Sequence, residues 1–229
     1  MNQINIEESN TIDDKNLFIE EINDKSLLGI DLSGANLQNI DLAGVNLSKA
    51  KLIGADLRGA NLSEAILTGA NLSGANLSHA NLRSANCNDA CFFEANLINA
   101  DLRSANLCGA FLWRVKLSEA NLGLASLCEA DLSEADLRLT QLTEASLIGA
   151  YMVRVNLTGS NLSGANLAEV NLTQANLSGA NLNWANFYEA ELAEANLCGV
   201  KLWGTKLAKA RFFNTIMPDG KLDLQELAI

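Results

Sequence analysis

A hydrophobic register of period five that never slips constrains this chain more than any other feature. Stepping by five from Leu32, the chain gives Leu37, Leu42, Leu47 and so on to Leu207 and Phe212, without insertion or deletion. Thirty-seven such pentapeptides run from Ile30 to Asn214. The central position is Leu except at Cys87, Phe92, Met152, Phe187 and Phe212. Two residues earlier stands Ala in 27 of the 37 units, so each unit offers one small and one large apolar side chain. The residue just before the center is usually Asn or Asp (Asn36, Asn71, Asp131), the one after favours Ser, Thr or Arg, and the last is often Gly, as at Gly34, Gly54, Gly59 and Gly74. A repeat of this length takes precedence over any segment-by-segment reading.

A period of five fits neither an amphipathic helix, which needs about 3.6, nor a plain strand, which needs 2. Each unit nevertheless contains one step of period 2. The Ala and Leu positions are two apart and share a face when extended, and the Asn/Asp between them points away. Two polar or Gly residues then turn a corner. Strand and corner in alternation make a coil, and stacked coils pair as parallel strands about 4.8 Å apart. The Ala and Leu positions fill the shaft, while the Asn, Ser, Arg and Gly positions face out. Proline is consistent with this, since it would delete a ladder hydrogen bond. The single proline, Pro218, falls just past the last repeat.

The A-(N/D)-L-x-x pattern, as in Ala60-Asn61-Leu62-Ser63-Glu64 and Ala75-Asn76-Leu77-Ser78-His79, resembles that of the pentapeptide repeat protein family. The resemblance covers about four-fifths of the chain. It implies an all-β fold, a right-handed quadrilateral parallel β-helix with four pentapeptides, or 20 residues, per coil. Neither the hand nor the four sides follows from the spacing. At that pitch the repeats make about nine coils, a rod roughly 45 Å long.

Three regions are expected: a cap over 1–29, the solenoid over 30–214 and a capping tail over 215–229. Asp13 to Asn23 places Leu17, Phe18, Glu21 and Ile22 at helical spacing behind Asp13 or Asp14 as N-cap, which predicts a short helix lidding the first coil. A lid is needed because a bare edge recruits other strands. Pro218-Asp219-Gly220 is a turn signal, and the tail from Leu222 to Ile229 is apolar enough to fold over the last coil. A homodimer through this C-terminal end is left open.

The acidic N-terminus does not read as a signal peptide, and no apolar stretch is long enough to cross a bilayer. A cytoplasmic location is expected. The five cysteines, Cys87, Cys91, Cys108, Cys128 and Cys198, have no metal-site spacing. Cys108 and Cys128 are 20 residues apart and so stack on adjacent coils, where a disulfide is open but the reduced state is expected. His79 is the only histidine and sits at an outward corner, so no Ser-His-Asp or Cys-His set can be assembled beyond it. Carboxylates on flat faces lack the desolvating cleft that acid–base catalysis needs. No catalytic residue, metal site or cofactor is expected.

The reading is therefore a non-enzymatic interaction module or regulator that presents a solenoid face to a protein partner. Two alternatives stand beside it: a structural spacer, and a modulator of a type II topoisomerase that mimics DNA, as the resemblance suggests for an acidic rod. The net charge of −11 at first favours mimicry. Yet residues 31–217 hold 17 acids and 13 bases, so the rod itself carries only −4. A duplex of about 45 Å carries roughly 26 negative charges. The acidic belt of Glu119, Glu129, Asp131, Glu134, Asp136 and Glu144 wraps around all sides. No sustained basic track exists either, so neither a nucleic-acid nor a membrane partner is expected.

Outward positions should be small and polar, and the sequence departs from that at Phe93, Phe111, Trp113, Tyr151 and Val153. These flank the centers 92, 112 and 152, which differ by multiples of 20 and share one face. They are the candidate partner-binding residues, and Cys91 adjoins them. The column Glu94, Arg114, Glu134, Arg154 beside them predicts an ion-pair ladder. A second group, Trp184, Tyr188 and Trp203, falls near the end, where the tail is expected to pack over it.

Overall fold

The computed structural model describes residues 26–223. The helix expected over 13–23 lies outside the described residues, as does the end of the tail.

Within 26–223 the residue before each central position bridges in parallel to the residue 20 further on, in an unbroken series from Ser26↔Asn46 to Asn196↔Ile216. One bridge every five residues at an offset of 20 makes four bridged columns. Nine and a half periods separate Ser26 from Ile216. Within the described residues the ladder reaches back to Ser26, and Leu27 occupies a buried central position. The register thus extends at least one pentapeptide before Ile30, where Lys25-Ser26-Leu27 lacks the Ala and Asn that mark the motif.

One unit accounts for its own backbone. Asn61 N–H donates to Ile40 O of the preceding coil at 2.9 Å, while Leu62 and Glu64 donate to Asn81 O and Arg83 O of the next at 2.7 and 2.8 Å. Ala65 N–H closes the corner onto Leu62 O at 3.1 Å. The fifth donor, Ser63 N–H, bonds the Asn61 side-chain Oδ1 at 3.2 Å. All five amides are satisfied, and the last of them explains the preference for Asn or Asp: only a short side-chain carbonyl reaches the amide two residues on. The same bond recurs at Asp31, Asn71, Asn96 and Asn161.

The expected parallel pairing is present as single bridges rather than extended strands. In each unit the residue two after the center takes positive φ, as at Glu64 (58°), His79 (60°) and Leu139 (57°). A left-handed residue every five positions stops any strand from running on. At Gly59 the absent Cβ also leaves room for the Asn39 carboxamide, which would have to turn aside for any side chain there. The only strands among the described residues close the C-terminal end: β1 (Thr215–Ile216) pairs antiparallel with β2 (Leu222–Asp223) across the Pro218-Asp219-Gly220 turn.

The Ala and Leu positions fill the shaft from end to end; only Ile30 in the first coil and Leu202, Thr205, Leu207 and Phe212 in the last are partly exposed among the described residues. Where Thr or Ser replaces Ala, the hydroxyl is satisfied inside: Thr140 Oγ1 donates to Leu117 O at 2.9 Å and Ser160 Oγ to Leu157 O at 2.7 Å.

Leu122 is fully buried with coils on both sides. Leu122→Ala should destabilise by about 2–5 kcal/mol in chemical denaturation, and Arg83→Ala, on the exposed surface, by less than about 0.5 kcal/mol. Equal effects would mean that the inward and outward faces are wrongly assigned. Leu122→Pro, which also removes the amide bonded to Gln141 O, should give no folded protein.

Candidate functional site

One face carries the departures from the small, polar surface. Its bridged column reads Cys91, Phe111, Asp131, Tyr151. Two residues on, past a buried center, a second column reads Phe93, Trp113, Ser133, Val153. The coil pitch brings Phe93 and Trp113 into stacking, with ring centroids 5.1 Å apart and planes at 25°. Phe111 lies two residues before Trp113 and is 56% exposed, as is Tyr151 two coils further on. Phe93 and Val153 are half-buried. The structure thus gathers Phe93, Phe111 and Trp113 into one aromatic patch. Tyr151 and Val153 continue it beyond a polar notch at Asp131 and Ser133.

Among all the residues that precede a center, only Phe111 and Tyr151 are aromatic. Three of the four residues in their column (Cys91, Phe111 and Tyr151) lack the side-chain carbonyl that closes the ordinary unit. The amides of Phe93, Trp113 and Val153 accordingly have no such acceptor, whereas Ser133 N–H keeps its bond to Asp131 Oδ1 at 3.0 Å. The sequence reading missed this because it did not assign a partner to that amide.

The two borders differ electrically. On one side the expected ladder forms: Arg114 meets Glu94 at 3.5 Å and Glu134 at 2.8 Å, and Arg154 meets Glu134 at 2.5 Å. The Arg114 guanidinium also lies 4.4 Å from the Trp113 ring centroid, tying ladder to patch. Its hydrogen bond, opposed by partial burial and aided by Arg154, holds Glu134 below the usual carboxylate range. On the other border stand Asp89 and Glu129, which with Asp131 make no ion pair among the described residues. Asp89 leans over Gly109, where a Cβ would sit 2.5 Å from its carboxylate. This brings its charge to within two residues of Phe111. That lean depends on a glycine 20 positions away and was not legible from local sequence.

Most of the tail expected to pack over the C-terminal group lies outside the described residues. Trp184 and Trp203 meet edge to face at 4.7 Å, and Lys209 Nζ donates to Tyr188 OH at 2.7 Å. Trp203 is 71% exposed among the described residues. His79 stands exposed at a corner, and no cluster of three potential metal ligands occurs among the described residues.

The chain matches the family profile of pentapeptide repeats in segments that together run from 26 to 223. Similar solved structures include HetL, a pentapeptide repeat protein involved in heterocyst differentiation regulation from the cyanobacterium Nostoc sp. strain PCC 7120. It is 34% identical, with a TM-score of 0.37, over 90% of this chain and 97% of that one. QnrB1, a plasmid-mediated fluoroquinolone resistance protein, is 20% identical with a TM-score of 0.46 over 82% and 92%. Rfr23 from the cyanobacterium Cyanothece 51142 is 23% identical with a TM-score of 0.30 over 89% and 98%. No curated protein matches the chain.

The ladder makes a signed pH prediction. Because the folded-state pKa of Glu134 is depressed, its contribution is present above the unfolded value of about 4.3 and is lost as pH falls through the folded value. Glu134→Gln should therefore melt lower than the parent at neutral pH, and the two melting curves should converge as pH drops below about 4. A gap that persists unchanged into strong acid would assign the effect to packing.

Proposed function

Since the chain belongs to the pentapeptide repeat family, we propose that it acts without catalysis, as a right-handed, four-sided rod that presents its aromatic face to a protein partner. The observation that carries this reading is the column Cys91, Phe111, Asp131, Tyr151. There the chain gives up the backbone-closing carbonyl in three of four coils and exposes two aromatic rings in its place. The carbonyl is missing elsewhere too, as at Lys51, Lys116 and Ser146, but only here do aromatic rings stand in its place. A local rule broken without local compensation is expected where a surface serves function.

The patch suits docking. Aromatic side chains on interface surfaces supply a large share of binding energy, and a stacked pair held on a stiff sheet loses little freedom when it is covered. The charge pattern narrows the partner to a surface that combines apolar groups with at least one cation. The ladder border neutralises itself, whereas Asp89, Glu129 and Asp131 leave the opposite border and the notch negative. The same accounting weighs against duplex mimicry, because the acids here line a hydrophobic strip and do not form a phosphate-like track.

Replacing Phe93, Phe111 and Trp113 by Ser, Asn and Ser restores the ordinary repeat, and the Phe111→Asn change supplies the acceptor that the amide of residue 113 lacks. The triple variant should melt at or above the parent's temperature. Its affinity for a partner recovered by cross-linking in the native cell should fall tenfold or more, a loss of about 1.4 kcal/mol. An unchanged affinity in a variant of unchanged stability would place the functional surface elsewhere.

A further inference from the structure

On the face that precedes the aromatic one, Cys108 and Cys128 occupy the same column of adjacent coils, fixed by the bridge Asn106↔Ser126 and by the bonds Leu107 N–H to Ser126 O (2.7 Å) and Gly109 N–H to Cys128 O (2.9 Å). Both thiols are free and half-buried. The Ser126 hydroxyl lies between them, 3.0 Å from Cys108 Sγ and 3.6 Å from Cys128 Sγ, and Ser146 Oγ lies 3.2 Å from Cys128 Sγ. Two sulfurs that share one hydroxyl neighbour are close to each other. The pitch of about 4.8 Å between paired Cα atoms falls inside the window of roughly 4.4–6.8 Å that a disulfide requires. Asn88 and Ile148 flank the pair in the column, so no third thiol competes there.

We propose that Cys108 and Cys128 form a two-thiol oxidation site, which hydrogen peroxide converts into a disulfide joining adjacent coils. Cys128 reacts first. Partial burial opposes its ionisation, but hydrogen bonds from Ser146, Ser126 and Cys108 outweigh this and lower its pKa, and a thiolate is the form that attacks peroxide. Its sulfur takes one peroxide oxygen, the O–O bond breaks, and the departing hydroxide leaves as water after gaining a proton. The sulfenic acid that results faces Cys108. The Cys108 sulfur attacks Sγ of Cys128, the S–S bond forms, the S–O bond breaks, and the oxygen departs as a second water. Two thiols and one peroxide thus give one disulfide and two waters. The thiols supply two electrons and two protons, and no other reductant is needed.

The other cysteines lack this arrangement. Cys87 is fully buried and its thiol is pushed up to about 12 by desolvation. Cys91 contacts the Ser73 hydroxyl at 3.2 Å and has Asn71 and Phe111 as its bridged neighbours. Cys198 is exposed, with Ser178 and Pro218 in its column. The cross-link would also pin together the coils that carry Phe111 and Asp131, three residues beyond each cysteine.

The test is peroxide treatment of the full native chain, followed by thiol blocking and tryptic digestion without reductant. The peptides 104–114 and 117–138 each hold one of the two cysteines. They should be recovered joined, lighter by two hydrogens than their sum, and separable by reductant. Titratable thiol should fall by two equivalents. Cys108→Ser and Cys128→Ser, which install the residue type common at that position, should each fold and abolish the joined species. Ser126→Ala should slow its formation. A doubly substituted Cys91→Ser, Cys198→Ser chain should form it as the parent does. The proposal is overturned if both thiols survive, if Cys128 proceeds to sulfinic acid while Cys108 stays free, or if the only disulfides link separate molecules.

Discussion

Every feature of this protein rests on the backbone hydrogen bonds that join residue n to residues about 20 positions on. A unit such as Asn61–Ala65 sends one amide down to the preceding coil and two up to the next, so no coil is complete without its neighbours. Interior contacts follow from that lattice. Leu stacks on Leu and Ala on Ala because the pitch puts like positions over one another. The narrow shaft therefore tolerates small shifts in composition, such as Thr140 or Phe187, better than it would tolerate a change in length. One inserted residue would rotate every later side chain out of register, which is the physical reason the period of five runs without a slip.

The shaft was legible in the sequence because burial imposes a strict pattern. Ala and Leu two apart, every five residues, specify which side chains face inward, and the structure buries them as read, those of the first and last described coils, such as Ile30, Leu202, Leu207 and Phe212, being partly covered. The offset of 20 rested on family resemblance, and the bridges confirm it. The corners were less legible. Residues as different as Glu64, Leu139 and Trp184 all take positive φ there. The demand comes from closing the coil, and side-chain chemistry at that position does not reveal it. The role of Asn and Asp was also read incompletely: they face outward, yet they act on the backbone by accepting the amide two residues on. The unit at Ser26-Leu27 was missed because it has lost the motif while keeping its Leu.

At the aromatic face the sequence told which residues meet, since Phe93 and Trp113 differ by one coil and any pair so spaced must stack or clash. It told less about how charge surrounds them. The Glu94–Arg114–Glu134–Arg154 ladder follows from column arithmetic, but the contact of Arg114 with the Trp113 ring depends on a rotamer choice. The lean of Asp89 over Gly109 depends on an absent side chain one coil away. Borders of a site on a solenoid are set by neighbours 20 residues apart, and reading along the chain hides them.

The position of the face along the rod bears on its use. In a one-dimensional stack each coil is stabilised only by the coils above and below, so opening begins at the ends and propagates inward. Residues 91–154 lie near the middle of the ladder that runs from Ser26 to Ile216. Amides left without a side-chain acceptor, at Phe93, Trp113 and Val153, are best tolerated there, because coils on both sides hold the backbone even where its local closure is missing. Mid-rod is not the only place where that carbonyl is missing, since Lys206 and Arg211 stand at the same position in the last coil. What distinguishes residues 91–154 is that stacked aromatic side chains stand there between coils paired on both sides.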